Sequence, residues 1–444
     1  MREGVSLAYP GARPFARAES GRFFGRTAEA AYLGQLWLEN RLTFLAGPSG
    51  IGKTSLLMAG VLPLIEGSRV SLLPVGGLSG GACFPVAALP THNPYTLALL
   101  RSWSPADPPT HLAGLTLDDF ISRRAEFRGP SVSILAAIDQ ADDLFAGPEA
   151  RRRHRRRFLG ELVDALREQP ALHLLVSIRE DALPRFTEVI GEGVQFHLAP
   201  LGVDQARQAV VGPGFFAPEA AGELVQAVRT SRIITASGEE RLVITERVEP
   251  ALLQVACARL WDSLRTRSGV VTRRELRRRG DVDATLAGYC SSVIAAVAAV
   301  HDIPVGWLRF WLIRTFTTEI GVQGVGAEEP TEASVPETVV RALEDRYLLR
   351  GHAGQTTGSR HYELMSERLI EPLRLASDEP APPGDPTDHL RAAERALITG
   401  ELELAERHTS QALRAAPDAA LRLHAEAASL LGNLAYERGE LDTA

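Results

Sequence analysis

The stretch Gly47 to Thr54 reads Gly-Pro-Ser-Gly-Ile-Gly-Lys-Thr. It ends the apolar run Arg-Leu-Thr-Phe-Leu-Ala-Gly that starts at Arg41, and it leads into Ser-Leu-Leu-Met-Ala-Gly-Val-Leu-Pro-Leu. The spacing G-x-x-x-x-G-K-[ST] therefore sits between a predicted strand and a predicted helix, the context such a loop requires. Glycines let successive backbone N–H groups turn inward around an anionic phosphate, and the helix start adds the positive end of its dipole. A strand that feeds such a loop and then a helix is one step of an α/β P-loop core built on a parallel sheet. In that loop Lys53 reaches the β and γ phosphates of a nucleotide, and Thr54 holds Mg2+.

Of the 48 lysines and arginines in the 444-residue chain, Lys53 is the single lysine. A GTPase of the common kind needs a second lysine in its guanine-binding Asn-Lys-x-Asp motif, so that class is excluded. Schiff-base enzymes that use several lysines are excluded on the same ground.

A second chemical element is expected on a neighbouring strand. Ser131 to Asp139 read Ser-Val-Ser-Ile-Leu-Ala-Ala-Ile-Asp, an apolar strand ending in a carboxylate suited to Mg2+. Asp139 is the candidate metal-side residue. Gln140 occupies the next position, where many ATPases carry a water-activating carboxylate, so Asp142 or Asp143 either serves as the base or caps the following helix. A third strand, Ala171 to Ile178, ends at Arg179. There an arginine faces the ligand crevice of a parallel sheet and senses a γ-phosphate, or it pairs with Glu180 or Asp181. His173 reads as a core or sheet-surface histidine.

The formal net charge of −7 argues against whole-chain affinity for nucleic acid or an anionic membrane. Cys83, Cys257 and Cys290 show no paired or metal-like spacing, which suits a reducing compartment. The first twenty residues lack a signal-peptide core, and the nearly apolar run Ala287 to Val300 is shorter than the ~20 residues of a membrane span. A cytoplasmic location without membrane partners is the expectation.

Four further motifs occur in order: Tyr9 to Phe15 (Tyr-Pro-Gly-Ala-Arg-Pro-Phe), Phe23 to Arg26 (Phe-Phe-Gly-Arg) with Glu29 after it, Asp139 to Phe145 (Asp-Gln-Ala-Asp-Asp-Leu-Phe), and Val248 to Trp261. Together they resemble the STAND class of signal-transducing ATPases with numerous domains, in the bacterial subgroup that opens with Tyr-Pro-Gly-x-Arg-Pro-Phe. The likeness runs from about Ala8 to Leu375. It implies an AAA+/STAND-like core, with Phe24, Gly25 and Arg26 at the adenine, and Gly47, Pro48, Ser49, Gly50, Ile51, Gly52, Lys53, Thr54 and Ser55 at the phosphates. It further implies Asp139 at Mg2+, Arg179 as the sensor arginine, and Pro200 packing on the nucleotide from the lid side. One departure stands out. The class commonly carries a His-Asp pair in its last ATPase domain, the histidine contacting the β-phosphate of ADP. Leu364 to Leu369 here read Leu-Met-Ser-Glu-Arg-Leu, so Ser366 and Glu367 take those places. A serine hydroxyl can donate one hydrogen bond to phosphate but has neither the reach nor the charge of imidazole.

The chain divides into an ATPase core with its adenine-binding segment (1–212), a mostly helical lid (213–281), a winged-helix unit (282–376), a Pro-rich linker (377–388) and the start of an all-α tetratricopeptide-type array (389–444). The lid shows near-helical apolar spacing through Leu252, Leu253, Val255, Ala256 and Leu260. Two short strands flanking a Gly-rich turn are expected within Tyr347 to Leu364. From Gly400, the small residues Ala405, Thr409 and Ala412 and then Pro417 follow a repeat pattern. A second copy breaks off by Ala444, so more repeats are expected beyond it. The arginine runs Arg151 to Arg157 and Arg273 to Arg279 read first as solvated helix faces, and second as phosphate-binding or subunit-contacting patches.

The sequence supports an ATP-dependent signalling switch that binds ATP or ADP with Mg2+, hydrolyses slowly, senses a protein ligand through the repeats and self-associates in a nucleotide-dependent way. Two alternatives stand beside it. One is a nucleotide-binding scaffold without turnover, favoured by Gln140 and Ser366. The other is a transcription regulator binding DNA through the winged helix or the arginine runs, a reading that the class's use of that domain to close over nucleotide disfavours.

Overall fold

The computed structural model describes residues 9–66, 70–78, 92–128, 132–145, 152–234, 240–264, 269–316, 335–353, 360–378, 386–399, 401–417 and 419–440. They fall into two compact bodies, one drawn from Met1–Ala31, Gly47–Leu64 and Leu198–Pro382, the other from Tyr32–Ala46, Ile65–His197 and Pro383–Ala444.

The second body holds a five-stranded parallel sheet of β1 (Leu42–Ala46), β2 (Ser71–Gly76), β3 (Ile134–Ile138), β4 (Leu172–Ile178) and β5 (Val194–His197), in the spatial order β2-β3-β4-β1-β5. β1 and β3 are buried at every residue. Continuous apolar runs of this kind, without alternation, belong to strands covered on both faces. The helix Arg152–Glu168 covers part of one face. It buries Phe158, Leu159, Leu162 and Ala165 and leaves most of its charges outside. Trp103 and Trp37 anchor two more helices through indole N–H bonds to backbone oxygens of the sheet, Trp103 to Ala137 and Trp37 to His173, both at 3.1 Å. β2 was not anticipated from the sequence. Its Pro74 is tolerated because β2 lies at the sheet edge, beside a register shift between Leu72 and Val75.

Three helices of the same body, Pro386–Thr399, Leu402–Ala415 and Leu421–Arg438, pack through small residues. Ala393, Ala396, Ala405, Thr409, Ala412 and Ala427 are all buried, which lets the backbones approach closely. Gly400 and residues 441–444 lie outside the described residues.

The first body is mainly helical around one core. The stretch expected to be mostly helical after Ala217 contains an antiparallel hairpin as well, β6 (Thr230–Ile234) with β7 (Glu240–Ile244), between the helices Pro218–Arg229 and Pro250–Leu264. Helices still make up most of that stretch, and the hairpin is what the reading lacked. Thr230, Val243 and Ile244 lose less side-chain freedom in a strand than in a helix. The helices Val282–His301, Val305–Phe316 and Glu337–Glu344 then lead to a second hairpin, β8 (Leu349–Ala353) with β9 (Arg360–Leu364). Its turn, residues 317–334 and the linker segment 379–385 lie outside the described residues. Val282–His301 extends the apolar run noted in the sequence to 20 residues, long and apolar enough to cross a membrane by length and composition, with 56% of its most apolar window buried in the protein.

Candidate nucleotide site

The phosphate loop begins where β1 ends. Gly50 and Gly52 adopt φ of +74° and +96°, left-handed values that glycine reaches without steric cost. Ile51 between them is buried and anchors the loop. A Cβ at Gly47 would lie 3.1 Å from the Leu198 carbonyl oxygen, whereas one at Gly52 would meet nothing within 4 Å, so the loop keeps an open side. Lys53 opens the helix and donates from Nζ to the carbonyls of Gly47 at 2.7 Å and Pro48 at 3.0 Å. Pro48, Ser49 and Thr54 are half-buried beside it. Ser55 Oγ accepts from the Phe15 N–H at 3.1 Å, which ties the N-terminal segment to this helix. The glycine cradle, the ammonium and the open side fit a nucleotide's phosphates.

The residues expected at the adenine come together in the same body. Gly25 has φ +85°, and a Cβ there would be 2.3 Å from the Gln205 carbonyl oxygen. Phe24 lays its ring against Gly212, where a Cβ would be 2.2 Å from Phe24 Cγ. Arg26 is buried and donates to the Ala199 carbonyl at 2.7 Å and to Glu29 at 3.1 Å, while Gln205 donates to Glu29 at 2.6 Å. Burial pulls the Arg26 pKa down, and Glu29 opposes it. Pro200 follows Ala199, and its carbonyl accepts from Arg247 at 3.0 Å. The N-terminal motif holds this arrangement from behind. Tyr9 Oη donates to the Val210 carbonyl at 2.6 Å, and Arg13 grips Glu19 with two bonds of 2.6 Å, holding that carboxyl down at about 2.

Ser366 caps a short turn, its Oγ accepting from the Arg368 N–H at 3.2 Å. Its neighbour Met365 covers the loop instead: a Cβ on Gly50 would be 2.2 Å from Met365 Cε and 3.1 Å from Tyr347 Cδ1. Nothing local in the sequence signalled either contact.

In the body of the sheet, β1, β3 and β4 end on one edge, at Ala46, Ile138 and Ile178. Asp139 follows β3; it is buried, and its N–H donates to the Gly76 carbonyl at 2.9 Å. Gln140 takes φ +53°, which turns the chain into the short helix Ala141–Phe145 carrying Asp142 and Asp143. Arg179 follows β4 and pairs with Asp181, Nε to Oδ1 at 3.0 Å, and with Asp142 at 3.6 Å, while its N–H donates to Asp142 at 3.3 Å. His173 Nδ1 lies 3.2 Å from the Trp37 carbonyl, a structural contact. Among the described residues no group of three or more His, Cys, Asp or Glu side chains is placed to hold a metal ion unaided. The arginine runs are partly neutralised within the chain, with Arg273 and Arg277 both on Glu223 and Arg157 on Glu161.

A parallel sheet whose first strand feeds a glycine cradle and a lysine, with a buried aspartate after a neighbouring strand, defines a nucleotide-binding P-loop NTPase. The family model described as Novel STAND NTPase 1 matches residues 8–372, and the chain belongs to that family. Among solved structures it is similar to a Walker-type ATPase of Pyrococcus abyssi, at 17% identity and TM-score 0.43, over 82% of this chain and 98% of that one. It is also similar to the ORC2 protein of Aeropyrum pernix in its ADPNP–ADP complexes, at 13% identity and TM-score 0.39, over 84% of this chain and 96% of that one. No curated protein matches the chain in sequence.

Proposed function

We propose that the protein is an ATP-dependent signalling switch, in which the state of the phosphate loop is coupled to the position of a C-terminal winged-helix unit. The observation that carries this reading is the seating of Met365 and Tyr347 on Gly50, some three hundred positions away in the chain. A nucleotide entering the loop must accommodate or displace that cover. Different nucleotides then favour covered and uncovered forms by their differential affinities, and only that difference shifts the population.

On this reading Lys53 exchanges the loop carbonyls for the nucleotide's phosphates, Phe24, Gly25 and Arg26 frame the base, and Pro200 closes its lid side. Thr54 and Asp139 would hold Mg2+, which supplies charge neutralisation on the phosphates. Asp142 or Asp143 would orient the attacking water, and Arg179 would sense the γ-phosphate. The tetratricopeptide-type helices would receive a protein ligand, and the uncovered form would self-associate. Release of ADP from denatured purified protein, with a rise in particle mass in ATP and Mg2+, tests the switch. A protein that holds no adenine nucleotide would sink it.

The grip of Arg179 on Asp142 and Asp181 favours a second reading, a nucleotide-holding scaffold without turnover. Phosphate release abolished by Lys53→Ala and by Asp139→Ala excludes it, and the absence of release above background supports it.

A further inference from the structure

Arg350 on β8 is a cation left over by the arrangement just described. Its Nη2 donates to Glu249 at 3.0 Å and to the Met365 sulfur at 3.4 Å. Its Nε is buried and has no hydrogen-bond partner among the described residues. A thioether is a weak acceptor, and a guanidinium carries five donors, so this largely enclosed side chain, 13% exposed, keeps donors to spare beyond its pair with Glu249. Glu249 is itself pushed up by burial, with Arg350 opposing and Glu363 adding to the rise, and Glu363 is in turn drawn down in part by Arg350. The same Met365 sulfur lies 3.4 Å from the point a Cβ on Gly50 would occupy. One thioether therefore separates a guanidinium with an unused Nε donor from the glycine loop. Tyr347, three residues before Arg350, holds φ +53°, a left-handed value that costs a bulky side chain energy and clusters at ligand clamps.

We propose that Arg350 is a phosphate-contacting residue: with nucleotide in the loop, the flexible Met365 side chain yields and the guanidinium donates to a nucleotide phosphate. Arginine suits the task because its planar fork meets phosphate oxygens with paired donors. Met365, unbranched and adaptable, is suited to act as the movable spacer. The inference rests on the nucleotide reading of the loop and adds a residue to it from a distant part of the chain.

The test measures ADP affinity of the full chain for wild type, Arg350→Ala, Glu249→Gln, the double variant and a Lys53→Ala control, each with a thermal melt in the absence of nucleotide. Arg350→Ala is expected to weaken ADP binding about tenfold, the loss of a charge-assisted hydrogen bond. Glu249→Gln, which releases the guanidinium from its carboxylate, is expected to match or exceed wild type. The double variant leaves no lone buried charge. It is expected to melt near wild type and still lose the tenfold, which decides the matter if Arg350→Ala alone fails to fold. Equal weakening by Arg350→Ala and Glu249→Gln would mean that the ion pair only holds the fold, and ADP affinity of the double variant within twofold of wild type would mean that Arg350 does not touch phosphate. Either result overturns the proposal while leaving the nucleotide reading intact, whereas wild type that binds no ADP overturns both.

Discussion

Lys53 Nζ donates to the Gly47 carbonyl oxygen at 2.7 Å, so the chain's single lysine is folded back onto its own glycine loop. Its compact ammonium fits inside a tight turn where a guanidinium does not. Lys53→Arg is expected to lose most nucleotide affinity, at least about tenfold, despite keeping its charge. Titration calorimetry with ADP and ATP checks this, and normal binding by the variant would remove the steric argument.

Gly25 offers a test of the adenine side. Its φ of +85° and the 2.3 Å approach of the Gln205 carbonyl leave no room for a methyl group. Gly25→Ala is expected to cost roughly 1–3 kcal/mol of stability through backbone strain and to weaken adenine nucleotides with it. Thermal unfolding with and without ADP separates the two effects.

Arg179 shares its charge between Asp181 and Asp142. If it senses a γ-phosphate, releasing it should help. Asp181→Asn is expected to raise phosphate release several-fold over wild type, and Arg179→Ala to lower it to the level of Lys53→Ala. Unchanged rates in both variants would mark the arginine as purely structural.

Glu394, on the helix Pro386–Thr399, has its carboxyl pushed up to about 7, first by burial and then by the charges of Glu426 and Asp143, with Arg101 and Arg391 opposing. A raised carboxyl favours the folded state only while protonated. Its contribution is fully present below the ordinary carboxylate range and is lost as pH rises through about 7. Raising the pH from about 6 to about 8 should remove about 1 kcal/mol. Glu394→Gln is expected to abolish that part of the pH dependence in thermal melts. An unchanged pH profile would show that the carboxyl is already solvated.

Much of the fold and half of the candidate site were legible before the structure. β1, β3 and β4 are mostly apolar, largely buried runs followed by glycine, aspartate and arginine, and a parallel sheet buried on both faces writes itself that way. β2 was missed because Pro74 argues against a strand wherever the edge position is unknown. The β6–β7 hairpin was missed because the apolar helices on either side dominated the reading of that stretch. The β-branched residues of Thr230–Ile234 and Glu240–Ile244 were the signal that would have found it.

The sequence by itself determined the loop motif and the strand ends that carry Asp139 and Arg179, each set by neighbours within a few residues, and the family, which is carried by motifs spread along the chain. Only the tertiary structure decided what lies over the loop. Ser366 stands in the motif position, yet the side chains that reach Gly50 are Met365 and Tyr347, and the cation behind them is Arg350. No local spacing encodes that, because it depends on how a distant hairpin packs, and packing is settled by the shapes of all the side chains buried together.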